Sequence, residues 1–229
     1  MGTRGVIFDL DGTLLDNMAL HAEAFAVFVQ RHALAPFDEP RRRQLDGKRN
    51  RDIFPVLFGR ALADEELRSY ADEKEGLYRE LSRGRLVALS GLDRLLERLH
   101  ARSIPVAVAT SAPPENVRHT LAELGLDGRL DRVVRADEVP RGKPHPDVFL
   151  AAARLLGVPP AECVAFEDAP AGVAAAKAAG MTCVGVTTSF TASALAAMGV
   201  APDFTVKDFD DYLKGPGAWL MDQAGSSST

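Results

Sequence analysis

The sequence predicts an α/β fold, a doubly wound parallel sheet with a small inserted all-helical domain, and three observations lead to it. Short apolar runs that end at polar or glycine-containing turns recur along the chain, as expected for buried strands. Stretches of helical periodicity separate the later runs, and a glycine follows each of them. One long interval after the first run carries helical patterns without a convincing strand.

The apolar runs predict five strands, at residues 5–10, 104–109, 132–136, 163–166 and 182–186. The helices between the later strands are expected at residues 114–124, 146–156 and 171–179, with Gly125, Gly157 and Gly180 as stop signals. Because strand and helix alternate, the strands should pair in parallel, with helices on both faces and right-handed crossovers.

One connection is too long for this pattern, since about 90 residues separate the first two strands where a crossover needs only about 10–12. Helical patterns fill it at residues 18–32, 51–58 and 63–82, and residues 92–101 can serve as the true crossover. We therefore expect a discontinuous core, residues 1–16 and 85–229, and a helical domain over residues 17–84. Residues 15–18 and 84–90 would be two linkers that form a hinge.

The composition is that of a soluble globular protein, with 229 residues of which 46% are hydrophobic and 26% charged. A net charge of −5 argues against a nucleic-acid binder. No window approaches the roughly 18 apolar residues of a membrane span, and the N-terminus has no export signal. We expect a cytoplasmic monomer with no nucleic-acid or membrane partner. Cys163 and Cys183 should be reduced core residues, and residues 224–229 a frayed tail.

Two aspartates directly follow the first strand, in the string GVIFDLDGTLLDN. Asp9 and Asp11 are two residues apart, so their carboxylates point the same way across the pleat. Two negative charges this close require a cation or a proton between them. Asp11 before Gly12 is by itself a common turn signal, but the full string favours a functional site.

A second acidic pair, Glu167 and Asp168, ends the strand CVAF before a loop of small residues. Open parallel sheets bind ligands outside the carboxyl ends of their strands, where strand order reverses, so both acidic pairs should converge on one crevice. Carboxylates without a His or Cys partner suit a hard cation, Mg²⁺ rather than Zn²⁺. The alternative for Glu167 and Asp168 is a helix N-cap with a solvated neighbour.

Two further motifs could hold a phosphate group. Thr110 and Ser111 end the strand VAVAT before a helix, where they could form an anion site or only a helix cap. Lys143, in the loop string RGKPHPDVF, could be solvated like most loop lysines. Beside several carboxylates it would instead supply the positive charge needed to hold a phosphate dianion.

The strings FDLDGTLLD, VATS, GKPHPDVF and CVAFEDAPAG, in this order, resemble the haloacid dehalogenase superfamily and its Rossmann-like core. The helical insert resembles the cap domain of the branch that contains phosphoglycolate phosphatase, sugar-phosphate phosphatases, pseudouridine monophosphatase and β-phosphoglucomutase. The resemblance covers nearly the whole chain. Members that cleave carbon–halogen bonds, and phosphonate-cleaving members, lack the second aspartate. This chain has it as Asp11, which implies phosphoryl transfer.

The resemblance also implies a role for each motif residue. Asp9 would be the nucleophile, and Asp11 would protonate the leaving oxygen and then activate water. Acid–base work of this kind needs an Asp11 pKa raised by its neighbours. Thr110 and Lys143 would hold the transferring phosphoryl oxygens. The implied magnesium shell consists of Asp9, Asp11 through its backbone carbonyl, Asp168, and Glu167 directly or through water.

Substrate contacts are expected from the core and from the insert, which should close as a lid. The candidates are Ser111 and Ala112 in the core, and His21, Arg49, Asn50 and Lys74 in the insert. Resemblance to β-phosphoglucomutase supports Lys74, which matches a cap lysine, and His21, which matches a histidine that contacts the acid/base aspartate. Asn50 stands where the mutase has an arginine that grips phosphate. Each insert residue could equally belong to an ordinary exposed or packed helix face.

The resulting expectation is a Mg²⁺-dependent phosphatase that hydrolyses a small phosphorylated metabolite, a sugar phosphate or similar monoester, through an aspartyl phosphate. The first alternative is a mutase of the β-phosphoglucomutase type, which must also shield its aspartyl phosphate from water. The second is an inactive phosphosugar-binding module that kept the fold. The joint presence of Asp9, Asp11, Lys143 and Asp168 argues against inactivity.

Overall fold

The computed structural model describes residues 3–35, 45 and 47–220. Its strands are β1 (Gly5–Phe8), β2 (Val106–Thr110), β3 (Val133–Arg135), β4 (Cys163–Glu167), β5 (Thr182–Val186) and β6 (Phe204–Val206). They form one parallel sheet in the order β3-β2-β1-β4-β5-β6. The five predicted strands are present, with ends shifted by a few residues. The apolar pattern misses β6 because it has three residues, of which only Val206 is buried.

The α-helices of the described residues are α1 (Met18–Arg31), α2 (Asn50–Phe58), α3 (Asp64–Ser82), α4 (Leu92–Ala101), α5 (Pro114–Glu123), α6 (Asp147–Leu156), α7 (Pro170–Ala178), α8 (Ala192–Leu195) and α9 (Phe209–Lys214). All the predicted helices are present, and only the short α8 and α9 were not predicted. Gly125, Gly157 and Gly180 have φ angles of 65°, 68° and 79°, the left-handed conformation expected of residues that end helices.

The sheet is wound in both directions from β1, with β2 and β3 on one side and β4 to β6 on the other. Side chains alternate across β1, so Val6 and Phe8 join a core cluster with α4, α5 and α9, whereas Ile7 joins the cluster of α6 and α7. Helices therefore cover both faces, which explains why the strands are continuous apolar runs. The predicted doubly wound α/β fold is confirmed.

Helices α1, α2 and α3 lie between β1 and α4, and none of the described residues there joins the sheet. The three helices share an aromatic core. Phe28 of α1 lies edge-on to Phe54 and Phe58 of α2 and to Tyr70 of α3, with ring centroids 5.3, 6.3 and 5.9 Å away. This packing agrees with an all-helical insert, and the exact domain boundaries at residues 17 and 84 stay a prediction.

The two predicted linkers run side by side. Leu15 and Ala88 form an antiparallel bridge, and the N–H of Leu89 donates to the carbonyl of Leu14 at 2.9 Å. The chain therefore enters and leaves the insert at one place, a few residues after β1.

Cys163 and Cys183 are buried free thiols, as predicted. No helix in the described part of the chain is long and apolar enough to cross a membrane. The predicted tail at residues 224–229 lies outside the described residues.

Candidate active site

The candidate site lies where the strand order of the sheet reverses. Asp9 follows β1, Thr110 ends the neighbouring β2, and Glu167 ends β4 and precedes Asp168. Because the strands are parallel, these residues meet at one edge of the sheet. Carboxylate oxygens of Asp9, Glu167 and Asp168 lie within 4.8 Å of one another, and all three residues are buried. Asp9 thus converges with the second acidic pair, as the sequence predicts, and Asp11 lies beside them on the wall of the same cavity.

Two glycines allow the carboxylates to approach so closely. Gly12 has a φ of 81°, and a side chain there would collide with the Asp168 carboxylate. Gly172, in the first turn of α7, lies against the Glu167 carboxylate and leaves no room for a Cβ. A larger residue at either position would displace an acidic group of the cluster.

Lys143 lies inside the acidic cluster. Its Nζ is 2.5 Å from Asp9 Oδ1 and 2.5 Å from Glu167 Oε1, and its side chain is 1% exposed. The solvated-lysine alternative is therefore excluded. Burial alone would lower the pKa of Lys143, but the charges of Asp9 and Glu167 raise it above the ordinary lysine value.

The cluster holds more negative than positive charge. Burial raises the pKa of Asp9, Lys143 lowers it and the Glu167 charge raises it, so that it lies at about 7. Burial also raises the pKa of Asp168, together with repulsion from Glu167 and Asp9. Three buried carboxylates thus share one ammonium group. An all-oxygen donor set with unbalanced negative charge fits a hard divalent cation.

Hydrogen bonds from three loops fix the acidic residues. Thr13 donates to Asp168 Oδ1 at 3.2 Å, and Ser189, after β5, donates to Asp168 Oδ2. Glu167 accepts from the N–H of Ala169 at 2.9 Å, and α7 has no side-chain cap. The N-cap alternative for the Glu167–Asp168 pair is therefore excluded. Ser189 could not be identified from the sequence, because a serine in a polar loop carries no distinguishing pattern.

Asp11 lies apart from the three clustered carboxylates and is held by the first residues of the insert. Asn17 donates to Asp11 Oδ1 at 2.7 Å, and His21 Nε2 is 3.6 Å from the same oxygen. Asn17 is fully buried, accepts from the N–H of Gly12 at 3.0 Å and lies 2.6 Å from the hydroxyl of Tyr78. Asn17 and Tyr78 are thus parts of the site that the motif analysis did not find.

The pKa of Asp11 differs from the expectation. Burial alone would raise this pKa, but the nearby His21 ring, the hydrogen bond from Asn17 and the charge of Lys74 lower it below the ordinary aspartate value. The raised pKa expected of a general acid is therefore not present in this state. Asp11 is an ionised carboxylate, the form that can act as a base.

Thr110 and Ser111 do not cap the helix that follows them. Helix α5 begins at Pro114 and has no side-chain cap, so the helix-cap alternative is excluded. The hydroxyl of Thr110 accepts from the N–H of Ala112 at 3.0 Å. Ser111 donates to the carbonyl of Gly47 at 2.8 Å, which joins the core to the loop before α2.

A cavity lies above the acidic cluster, between the core and the insert. From the core it is lined by Asp9, Asp11, Thr110, Ser111, Ala112, Asn116 and Asp168, and from the insert by His21, Lys48, Asn50, Lys74 and Glu75. Five of the six predicted substrate-contact candidates are therefore on its wall. Glu75 and Asn116 also line the cavity but could not be identified from the sequence, because a helical string does not reveal which polar residue faces inward.

Arg49 is the exception. Its Nε is 2.9 Å from Asp52 Oδ2, one helical turn further along α2, and its side chain packs against Gly142. It is not among the residues that line the cavity. The predicted substrate contact from Arg49 is thus replaced by an ion pair at the start of α2.

Lys74 and His21 link Asp11 to the insert. Lys74 Nζ is 3.0 Å from His21 Nδ1 and 3.0 Å from Glu75 Oε1, and it lies 4.3 Å from the centroid of the Phe25 ring. The His21 ring stacks on Tyr78 with centroids 3.8 Å apart. A buried polar chain therefore runs from the acid/base candidate into α3.

Residues 3–180 match the sequence model of the haloacid dehalogenase-like hydrolases. The chain belongs to the haloacid dehalogenase-like hydrolase family. Validoxylamine A 7'-phosphate phosphatase of Streptomyces hygroscopicus subsp. limoneus is 36% identical over 196 residues, covering 83% of this chain and 88% of that protein. Fructose-1-phosphate phosphatase YqaB of Escherichia coli (strain K12) is 36% identical over 182 residues, covering 80% and 95%. The predicted family is confirmed.

A solved structure of a mutase has a similar fold. The crystal structure of β-phosphoglucomutase from Clostridium difficile aligns with this haloacid dehalogenase-like chain at a TM-score of 0.82 and 25% sequence identity, covering 96% of each chain. Phosphatases and a mutase are therefore both among the similar proteins.

Replacing Asn17 by Ala should lower the free energy of unfolding by about 1–3 kcal/mol, because the buried N–H of Gly12 and the Tyr78 hydroxyl lose their partner. Urea denaturation measures this change. The matched control is Asp16→Asn at the exposed preceding residue, with an expected effect within about 0.5 kcal/mol. Equal effects of the two substitutions would contradict the inference that the hydrogen bonds of Asn17 stabilise the loop after β1.

Proposed function

We propose that this protein is a Mg²⁺-dependent phosphatase that hydrolyses a small phosphorylated sugar-like monoester through an aspartyl phosphate. The observation that carries the proposal is the buried Lys143, which contacts Asp9 and Glu167 beneath a cavity at the switch point of the sheet. Nothing in the packing of the fold requires an ammonium among three buried carboxylates, whereas binding a phosphate group beside a metal ion does. The phosphatases among its relatives support the same reaction.

The acidic cluster is the proposed magnesium site. Asp9, Asp168 and the backbone carbonyl of Asp11 would be ligands, with Glu167 bound directly or through water. When bound, Mg²⁺ would neutralise the carboxylates and stabilise the charge that spreads over the phosphoryl oxygens in the transition state.

Asp9 is the proposed nucleophile. A carboxylate oxygen of Asp9 would form a bond to phosphorus while the bond from phosphorus to the alcohol oxygen breaks, and Asp11 would give that oxygen a proton. Asp11 would next take a proton from water as the water oxygen attacks phosphorus, which frees Asp9 and releases inorganic phosphate. Lys143 and the hydroxyl of Thr110 would hold the phosphoryl oxygens throughout.

The low pKa of Asp11 is compatible with both steps. Without substrate, Asp11 is ionised and suited to the second step, in which it acts as a base. A phosphate dianion placed beside Asp11 would repel its carboxylate and raise its pKa, which favours the protonated form needed for the first step.

Residues 17–84 are the proposed cap domain, which would move about the paired linkers. With the cap closed, His21, Asn50 and Lys74 would contact the substrate opposite Ser111 and Ala112. Closure would exclude bulk water while the phosphoryl group is transferred.

A sugar-phosphate mutase is the second candidate, favoured by the structural likeness to β-phosphoglucomutase and by the Lys74–His21 contact. A mutase would convert β-glucose 1-phosphate to glucose 6-phosphate with little free phosphate and with stimulation by a bisphosphate. A phosphatase would release stoichiometric phosphate. No observation favours an inactive binding module, because a protein that only binds phosphosugars would not need the buried acidic cluster.

The proposed reaction predicts phosphate release from one or more esters in a panel of sugar phosphates, nucleotides and phosphoglycolate with Mg²⁺. Asp9→Asn should lower that rate by at least about 10³-fold, because it removes the nucleophilic carboxylate. The matched control, Asp127→Asn at an exposed position, should keep the wild-type rate. Equal rates for Asp9→Asn and the wild type would overturn the mechanism.

Magnesium affinity should rise with pH up to at least about 7, because Asp9 has a pKa of about 7 without metal, Asp168 also has a raised pKa, and both must lose their protons when a cation binds. Each proton displaced makes the affinity about tenfold weaker per pH unit below that value. Isothermal titration calorimetry in two buffers of different ionisation enthalpy would measure the affinity and the protons released. An affinity that does not change between about pH 5.5 and pH 7 would contradict this coupling.

A further inference from the structure

Glu75 is a buried carboxylate on the cavity wall that the proposed mechanism does not use. It is 5% exposed and lies on α3, at the insert end of the cavity. Its Oε1 accepts from Asn50 at 2.8 Å and from Lys74 at 3.0 Å, and its Oε2 accepts from Asn116 at 2.6 Å. Residues of α2, α3 and α5 therefore hold the carboxylate in place.

The orientation of this carboxylate is fixed from the core side as well. Arg79 donates to Asn116 Oδ1 at 2.7 Å, which leaves the Asn116 NH₂ group to donate to Glu75. Since Asn116 belongs to α5 and Glu75 to α3, the arrangement is complete only when insert and core are together. Glu75 thus faces the cavity in a defined position when the cavity is closed.

The hydrogen bonds of Glu75 leave room for a ligand. A carboxylate has about four acceptor positions, and the described residues fill three of them. The remaining position can accept only from a donor, such as a hydroxyl or an ammonium group. A second phosphate on the substrate is mostly a dianion near neutral pH, which has no proton to donate.

The surrounding charge also disfavours a second phosphate. The Lys74 ammonium forms an ion pair with Glu75, so their two charges nearly cancel. Lys74 also contacts His21, which leaves it less able to bind a phosphate. Burial alone would raise the pKa of Glu75, but Lys74 and His21 hold it below the ordinary glutamate value, so the group stays charged. Lys48 lines the same cavity, but it is partly exposed, so water and dissolved ions screen its charge.

We propose that Glu75 determines specificity: it accepts a hydroxyl or ammonium of the substrate part remote from the transferring phosphate, and it rejects esters that carry a second phosphate there. The inference rests on the proposed phosphatase function and narrows its substrate class. The class is a monophosphate ester with a neutral, hydroxylated or amine-bearing far end.

A pair of probes that differ only in a second phosphate tests this proposal. Fructose 1-phosphate and fructose 1,6-bisphosphate are compared as inhibitors of p-nitrophenyl phosphate hydrolysis at saturating Mg²⁺. For the wild type, the Ki of the bisphosphate should be at least about tenfold higher, because the Lys74 charge is already paired with Glu75 and the Glu75 carboxylate cannot donate to a phosphate oxygen. In Glu75→Gln the ratio of the two Ki values should fall about tenfold, since the amide keeps the shape and loses the charge.

Two further variants separate the charge of Glu75 from the integrity of its network. Glu80→Gln removes the same charge from an exposed position of α3 and should leave the ratio unchanged. Asn116→Ala removes a donor but keeps the carboxylate, so rejection of the bisphosphate should persist. A wild-type protein that binds both sugars equally, or a ratio that Glu75→Gln does not change, would overturn the proposal. Absence of any wild-type phosphate release would instead overturn the proposed function.

Discussion

Burial of the Lys143 ammonium among three carboxylates is the interaction on which the site depends. Taking these charges out of water is costly, and the pairing recovers the cost only if the geometry is accurate. The Lys143 contacts with Asp9 and Glu167 meet that demand, yet one ammonium does not balance the cluster. Burial and the excess negative charge together raise the pKa values of Asp9 and Asp168. The arrangement is complete only with a further cation or a proton, as the proposed magnesium site requires.

The fold supplies the required accuracy. Parallel strands β1 and β4 end side by side, which places Asp9 next to Glu167 and Asp168. Gly12 and Gly172 then permit the carboxylates to come closer than side chains at those positions would allow. The same loop that carries Asp11 continues into the insert through Asn17, so polar groups of the insert and of the sheet edge share hydrogen bonds. A movement of the insert would therefore change the hydrogen bonds of Asp11.

Much of this could be predicted from the sequence, because the determining signals are local. Apolar runs before Asp9 and Glu167 identify buried strands, and the glycines after the helices mark their ends. The strand β6 could not be predicted, since it depends on pairing with β5 rather than on its own short sequence. In the insert, too, tertiary contacts that the sequence does not show decide the outcome. Arg49 looks like an ideal phosphate ligand in the sequence, but Asp52 takes its guanidinium, and the inward acidic residue of α3 is Glu75. Which face of a helix is buried depends on tertiary contacts that a single sequence does not display.

The central claim is that Asp9 becomes phosphorylated, and its most direct test is to trap that adduct. The protein with Mg²⁺ and an aryl phosphate would be quenched in acid within milliseconds, digested and analysed by mass spectrometry. The account predicts a phosphoryl group on the peptide that contains Asp9, present during turnover and lost when substrate is exhausted. Rapid phosphate release with no acyl phosphate on Asp9 at any quench time, or with the adduct on another residue, would contradict it.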